Sequence, residues 1–206
     1  MIVGWTNCAG NGIAARALLW ALIYCCLNAP TIKQFPWKGI WKTKAPPQVV
    51  FFVWTAVLGK ILTIDNLRKR RVILVDWCCM CKAAGESTDH LFLHCSMAKQ
   101  LWDTILIMFG VHWVMPRTVR DLITCWPGAL GRRRHAEIWK IIPHCLMWCL
   151  WWERNLRTFE GKEMTSSDLQ YLFYRLLFDW FQVIGVFPFS SFQDFIDSCS
   201  SYSLLL

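Results

Sequence analysis

Three thiols and one imidazole fall at short, fixed intervals in this chain: Cys78, Cys81, His90 and Cys95 spell C-x2-C-x8-H-x4-C. A C-x2-C turn brings two sulfurs to one side, and H-x4-C supplies a second pair from a single helical turn. Four such donors suit the tetrahedral shell of zinc. A shell filled by protein has no position for water or substrate, so the spacing predicts a structural metal rather than a catalytic one. Buried free cysteines beside a surface histidine are the alternative, and two matched pairs inside so short a span argue against it. Cys79 and His94 adjoin the favoured ligands and could stand in for Cys78 and His90. The outer set is preferred because C-x2-C is the more usual chelate and Cys79-Met80-Cys81 would be cramped.

Further motifs flank this cluster in order. They are Phe35-Pro-Trp-Lys-Gly-Ile-Trp-Lys42, Lys44-Ala-Pro-Pro-Gln-Val-Val-Phe-Phe-Val-Trp54 and Leu62-Thr-Ile-Asp-Asn-Leu-Arg-Lys-Arg70 before or leading into it, then Glu86-Ser-Thr-Asp-His and Leu101-Trp102. Trp151-Trp-Glu-Arg-Asn155 and Arg157-Thr-Phe-Glu160 come later. Together they resemble the zinc-binding domain that follows the polymerase in plant non-LTR (LINE-type) retrotransposon reverse transcriptases, with its usual tail, over roughly residues 35 to 198. The resemblance implies a nucleic-acid-binding appendage, while copying and cleavage belong to other domains of such polyproteins.

The acidic residues agree with a chain that is not itself a polymerase. A two-metal polymerase needs paired aspartates, and Asp65, Asp76, Asp89, Asp103, Asp121, Asp168, Asp179, Asp194 and Asp197 all stand singly. No Gly-rich phosphate loop, G-x-S-x-G elbow or H-E-x-x-H is present, so the expectation is that the chain is not an enzyme. His112, His135 and His144 stand apart from any acid partner and read as packed or solvated.

Positive charge is concentrated. The formal net charge is +8, and residues 30 to 71 hold Lys33, Lys38, Lys42, Lys44, Lys60, Arg68, Lys69, Arg70 and Arg71 against Asp65 alone. Lysine and arginine clusters neutralise phosphates, and aromatic rings between them stack on unpaired bases. Lys38, Lys42, Lys44, Arg68, Lys69, Arg70 and Arg71 with Trp37, Trp41 and Trp77 therefore form a candidate face for RNA or single-stranded DNA. The plainer reading is a solvated helix end, because Arg68 to Arg71 finish a short predicted helix, where cations meet the negative end of its dipole. Arg132, Arg133 and Arg134 form a second basic run.

Helical spacing dominates the rest. Gln48 to Gly59 reads as a buried helix; Ser96 reads as an N-cap for a helix that Gly110 ends. A short helix is expected over 117–126 and a long one over 133–158, kinked or split by Pro143. Thr165 and Asp168 suggest a capping pair for a helix to about Ile184, with a last turn or two between Ser190 and Ser198. The expected fold is all-α: a small zinc-stapled helical domain with a knuckle-like C-x2-C turn, where a small hairpin could form, and a helical C-terminal tail. The domain reading is a divergent apolar segment over 1–29, the zinc-binding domain over 30–110 and a helical extension over 111–206.

Eleven cysteines are an odd number, and those outside the motif, Cys8, Cys25, Cys26, Cys79, Cys125, Cys145, Cys149 and Cys199, are scattered among apolar residues. That pattern suits a reducing compartment, nucleus or cytoplasm, rather than a disulfide framework. Cys145 and Cys149 share a helix face and read as core, a second metal pair being the alternative. A 55% hydrophobic content with 14 tryptophans supplies ample core, and 17% charged residues leave apolar surface uncovered, open to a protein partner. Ala17 to Leu27 is an unbroken apolar stretch, too short to span a bilayer as a helix; a packed amphiphilic helix is preferred to membrane anchoring or a signal peptide. Membrane association and an inert retroelement fragment remain the rival readings.

Overall fold

The apolar spacing and its punctuation translate directly into helices. The structure is a computed structural model that describes residues 35–72, 74–126, 136–185 and 191–200, and every statement of absence below refers to those residues. In chain order it contains α1 (Trp37–Trp41), α2 (Pro47–Val57), α3 (Ile64–Lys69), a π-helical turn (His90–His94), α4 (Ser96–Met108) and α5 (Val119–Cys125). These are followed by α6 (Ala136–Asn155), a second π-helical turn (Leu156–Glu160), α7 (Ser166–Ile184) and α8 (Phe192–Ser200). The fold is all-α. No strand occurs among the described residues, so the small hairpin expected at the C-x2-C turn does not form. The apolar stretch Ala17 to Leu27, Lys33, His135 and the run Arg132 to Arg134 lie outside the described residues.

Helix ends follow local chemistry. Pro47 opens α2 where its missing N–H costs nothing. At the ends of α2 and α4, Gly59 and Gly110 take the left-handed conformation and close paired 6→1 and 5→2 bonds. The same closure ends α3: Val72 N–H donates to Leu67 C=O and Arg71 N–H to Arg68 C=O. There Arg71, with φ of 65°, occupies the place where glycine is usual. Thr165 and Asp168 form the expected reciprocal capping box of α7. Ser96 is not an N-cap. That position belongs to Cys95, whose extended backbone precedes Ser96 as the first helical residue.

α6 is the central element, packed against α2, α4 and α7. Ile138, Trp139, Ile142, Cys145, Leu146, Cys149 and Leu150 are buried on one face, and buried Ile141 and Met147 widen it to well over half the circumference, which marks a helix packed on several sides. Cys145 and Cys149 are core residues here, with Cys145 Sγ donating to Phe173 C=O. Pro143 does not split the helix. It removes the N–H that would bond Trp139 C=O, and the indole of Trp126 donates to that carbonyl instead, at 2.7 Å. Trp139 returns a bond from its own indole to Trp126 C=O, and the two rings stack with centroids 4.1 Å apart. The orphan left by proline is thereby absorbed into a cluster that also takes in Trp102 and Trp113.

His144, one turn along α6 from Lys140, is packed rather than solvated. Burial lowers its pKa to about 4; the carbonyls of Ile40 and Lys140 approach the ring and oppose the shift, yet neither ring nitrogen has a partner of hydrogen-bonding geometry. An unfolded histidine titrates near 6.5. Between the two values the unfolded chain binds a proton that the folded chain refuses, so stability falls as pH drops from about 6.5 to about 4, by up to about 3 kcal/mol. Denaturant unfolding at pH 7 and pH 5 should show this loss in the native chain and a smaller one in His144→Leu, the metal ligands being common to both.

Candidate metal centre

The chain leaves α3 through an irregular segment in which Val72, Leu74, Val75 and Trp77 are exposed, then tightens. Cys78 N–H donates to Ala84 C=O and Lys82 N–H to Cys78 C=O, at 2.8 and 2.9 Å. These bonds curl the backbone so that Cys78 and Cys81 face one point. His90 and Cys95 reach it from the first π-helical turn. In an α-helix, residues five apart point about 140° away from each other, at about 100° per residue. The wider turn, closed by Cys95 N–H to His90 C=O at 2.7 Å, brings them back together. Phe92 C=O, left without a helical partner, accepts the indole of Trp102 at 2.8 Å, which joins this turn to α4.

The four donor atoms lie within 4.8 Å of one another. Cys78 and Cys95 sulfurs are 4.0 Å apart, and Cys81 Sγ is 3.3 Å from His90 Nε2. A tetrahedral zinc with arms of about 2.3 Å to sulfur and 2.0 Å to nitrogen has edges of about 3.8 Å and 3.5 Å between its donors. The residues fit the ion. Burial, with the His94 charge second, lowers the His90 pKa and favours the neutral imidazole that coordination requires. The Cys78 thiol donates to the Cys95 sulfur; that bond and burial raise Cys78 strongly, while the same bond lowers Cys95 against the effect of burial. A divalent cation takes the place of that shared proton, so binding releases protons.

The neighbouring alternatives point elsewhere. Cys79 Sγ faces Arg154 C=O and Thr158, and His94 Nε2 lies 2.9 Å from Arg117 C=O on the surface. Neither joins the cluster.

A buried ionic brace, not foreseen from the sequence, holds the metal loop against α6. Glu86, inside the loop, is fully buried and accepts from Arg154 Nη2 at 2.8 Å and from Ile64 N–H at 3.0 Å. One turn on, Glu153 pairs with Arg157, which also donates to the carbonyls of Cys79 and Met80, while Glu153 accepts Met164 N–H. The tail motif Glu153-Arg154 with Arg157 thus clamps the very turn that carries the thiols. The available signal was the placing of charges inside an otherwise apolar helix.

The candidate nucleic-acid residues fall in two groups. Lys38 is on α1, Lys42 is its C-terminal cap residue and Lys44 lies just beyond, all exposed, with Trp41 exposed against Trp54 and Trp37 half-buried. Arg68 to Arg71 end α3, but Arg68 pairs with Asp76 at 2.9 Å and Lys69 with Asp65 at 3.0 Å. Lys38, Lys42, Lys44, Arg70 and Arg71 make no ion pair among the described residues.

A helical domain closed around a Cys3His centre, with every donor supplied by protein, belongs to the class of metal-stapled modules. Residues 20–102 match the family described as zinc-binding in reverse transcriptase, and this segment is a zinc-binding domain of that kind. The match begins at residue 20, within the segment read as divergent, and takes in most of Ala17 to Leu27. No curated protein and no solved structure matches the chain.

Two measurements probe the centre. Glu86→Gln strands the Arg154 cation and should cost about 3–5 kcal/mol, whereas Glu163→Gln, which breaks an exposed pair with Lys82, should leave the midpoint of the same denaturation assay nearly unchanged. Chelation, or Cys81→Ser, should abolish amide-exchange protection over residues 62–110 and, through the brace, over 153–164. Retained protection in both segments would contradict the linkage.

Proposed function

We propose that the chain is a non-catalytic, zinc-stabilised module derived from a retrotransposon reverse transcriptase, which contacts RNA or single-stranded DNA through its basic, tryptophan-bearing surface. The observation that carries the reading is the set of unpaired exposed cations, Lys38, Lys42, Lys44, Arg70 and Arg71, with Trp41 and Trp77 exposed beside them in sequence. Cations already neutralised by carboxylates offer phosphates little, so Arg68 and Lys69 are secondary members of the set. The closed donor shell argues against Lewis-acid chemistry at the metal. Thiolate ligands favour a reducing site of action, in the nucleus or cytoplasm.

A second reading, a protein-interaction module, draws on the exposed run Val72, Leu74, Val75 and Trp77. Membrane anchoring has less support. No described helix is long and apolar enough to cross a membrane, and most of the candidate stretch falls within the matched zinc-binding region.

Filter binding of unstructured RNA between 50 and 200 mM salt tests the proposal. Each phosphate contact adds about −0.7 to the slope of log K against log salt on a single strand. Arg70→Gln with Arg71→Gly should weaken binding and flatten the slope by about 1.4, and glycine suits the left-handed backbone at 71. Binding that ignores this change, or absent binding, would count against the reading.

A further inference from the structure

Where α1 meets α2, three aromatic rings form one cluster. Trp54 is fully buried, and its ring centroid lies 6.2 Å from that of Trp41 and 5.4 Å from that of Phe51. Both of these partners stay open to solvent, Trp41 at 42% and Phe51 at 36%. Each meets Trp54 at an interplanar angle of 54°, a tilted contact that leaves ring surface uncovered. The core pair Trp126 and Trp139 is the contrast: its rings lie 10° apart, face to face and buried. Trp41 and Phe51 are thus two open rings held on one buried support.

Charge around the pair has a single sign. From residue 35 to residue 64 the chain carries Lys38, Lys42, Lys44 and Lys60 and no aspartate or glutamate. Lys38, Lys42 and Lys44 are exposed and make no ion pair among the described residues. Pro46 gives α2 no side-chain cap, and no acid occupies the first turn, so the positive end of the helix dipole adds to the charge of Lys44 just before it. Carboxylates appear at the other end of α2, where Asp65, Asp89 and Asp121 line a cavity walled by Ala56 to Gly59. Phe51, one turn in from Pro47, stands at the cationic end of its helix.

That combination selects the partner. An apolar protein face would cover the rings and leave the ammonium groups without counter-charges. A duplex would meet the lysines and leave the rings in water, because its bases are already stacked on one another. An unpaired strand offers both a phosphate at each residue and a flat base for each ring. We propose that Trp41 and Phe51 form a stacking platform for two bases of one unpaired strand, with Lys38, Lys42 and Lys44 meeting its phosphates. The assignment rests on the nucleic-acid reading above; it adds Phe51 to the contact surface and fixes the ligand as a strand with free base faces.

The test measures the anisotropy of three labelled probes on the full zinc-loaded chain: an unstructured oligonucleotide, the same backbone made abasic, and a duplex. Trp41→Leu and Phe51→Leu keep apolar bulk against Trp54 and remove the aromatic face. Each should weaken the unpaired oligonucleotide about tenfold, leave the abasic and duplex probes unchanged, and leave the salt slope unchanged, since that slope counts phosphates. Phe51→Tyr, which restores the face, should bind like the native chain, and Phe159→Leu, which removes a ring that is 76% exposed elsewhere, should change nothing. Lys42→Ala with Lys44→Ala should flatten the single-strand slope by about 1.4. Photo-crosslinks from a thio-substituted base, read on the native chain, should map to Trp41 and Phe51. Equal losses on the abasic probe, or oligonucleotide binding indifferent to both leucine variants with crosslinks elsewhere, overturn the platform and leave the nucleic-acid reading intact. Absence of binding to every probe overturns both.

Discussion

The buried pairing of Glu86 with Arg154 is the constraint on which the rest of the structure turns. Glu86 sits midway between the two halves of the metal site, and Arg154 lies near the end of the central helix. Neither could remain charged in that setting without the other. The pair therefore requires the metal loop and α6 to be in place together. Arg157 reinforces the requirement by holding the carbonyls of Cys79 and Met80, the two residues between the chelating thiols. Residues far apart in the chain are in this way made parts of one folding unit.

That dependence explains the role of the tail. The cluster Glu153, Arg154 and Arg157 lies beyond the matched zinc-binding segment, and its partners lie on the thiol-bearing loop. Metal coordination sets the positions of four side chains; the brace sets the position of the backbone that presents them. Trp102, donating to Phe92 C=O, performs the same service for the histidine side of the site. Such outer contacts commonly hold ligands in geometry and tune their affinity.

Much of this was legible in the residues. The ligand set followed from spacing alone, and helix limits followed wherever a terminator was local: Gly59, Gly110, and the pair Thr165 and Asp168. The failures have physical causes. Ser96 looks like a cap by type, but Cys95 is fixed by the metal turn and takes that place. Pro143 looks like a breaker because the donor that satisfies its orphaned carbonyl, Trp126, comes from outside the helix, at a sequence separation of 13 from that carbonyl. Asp65, four residues before Lys69 on the same helix, is a local sign of its neutralisation, whereas nothing local separates Arg68, which Asp76 neutralises, from Arg70 and Arg71. The buried brace was invisible for the same reason: partners some seventy residues apart leave no periodic trace.

Because Cys95 is at once a metal ligand and the residue from which α4 departs, coordination geometry sets the direction of that helix. A rod of thirteen residues is about 20 Å long, and a tilt of about five degrees at its root swings its tip by nearly 2 Å. α4 lies against both α6 and α7. A cation that prefers planar or octahedral surroundings would work as a misaligned hinge pin, displacing packed layers well beyond its own ligands.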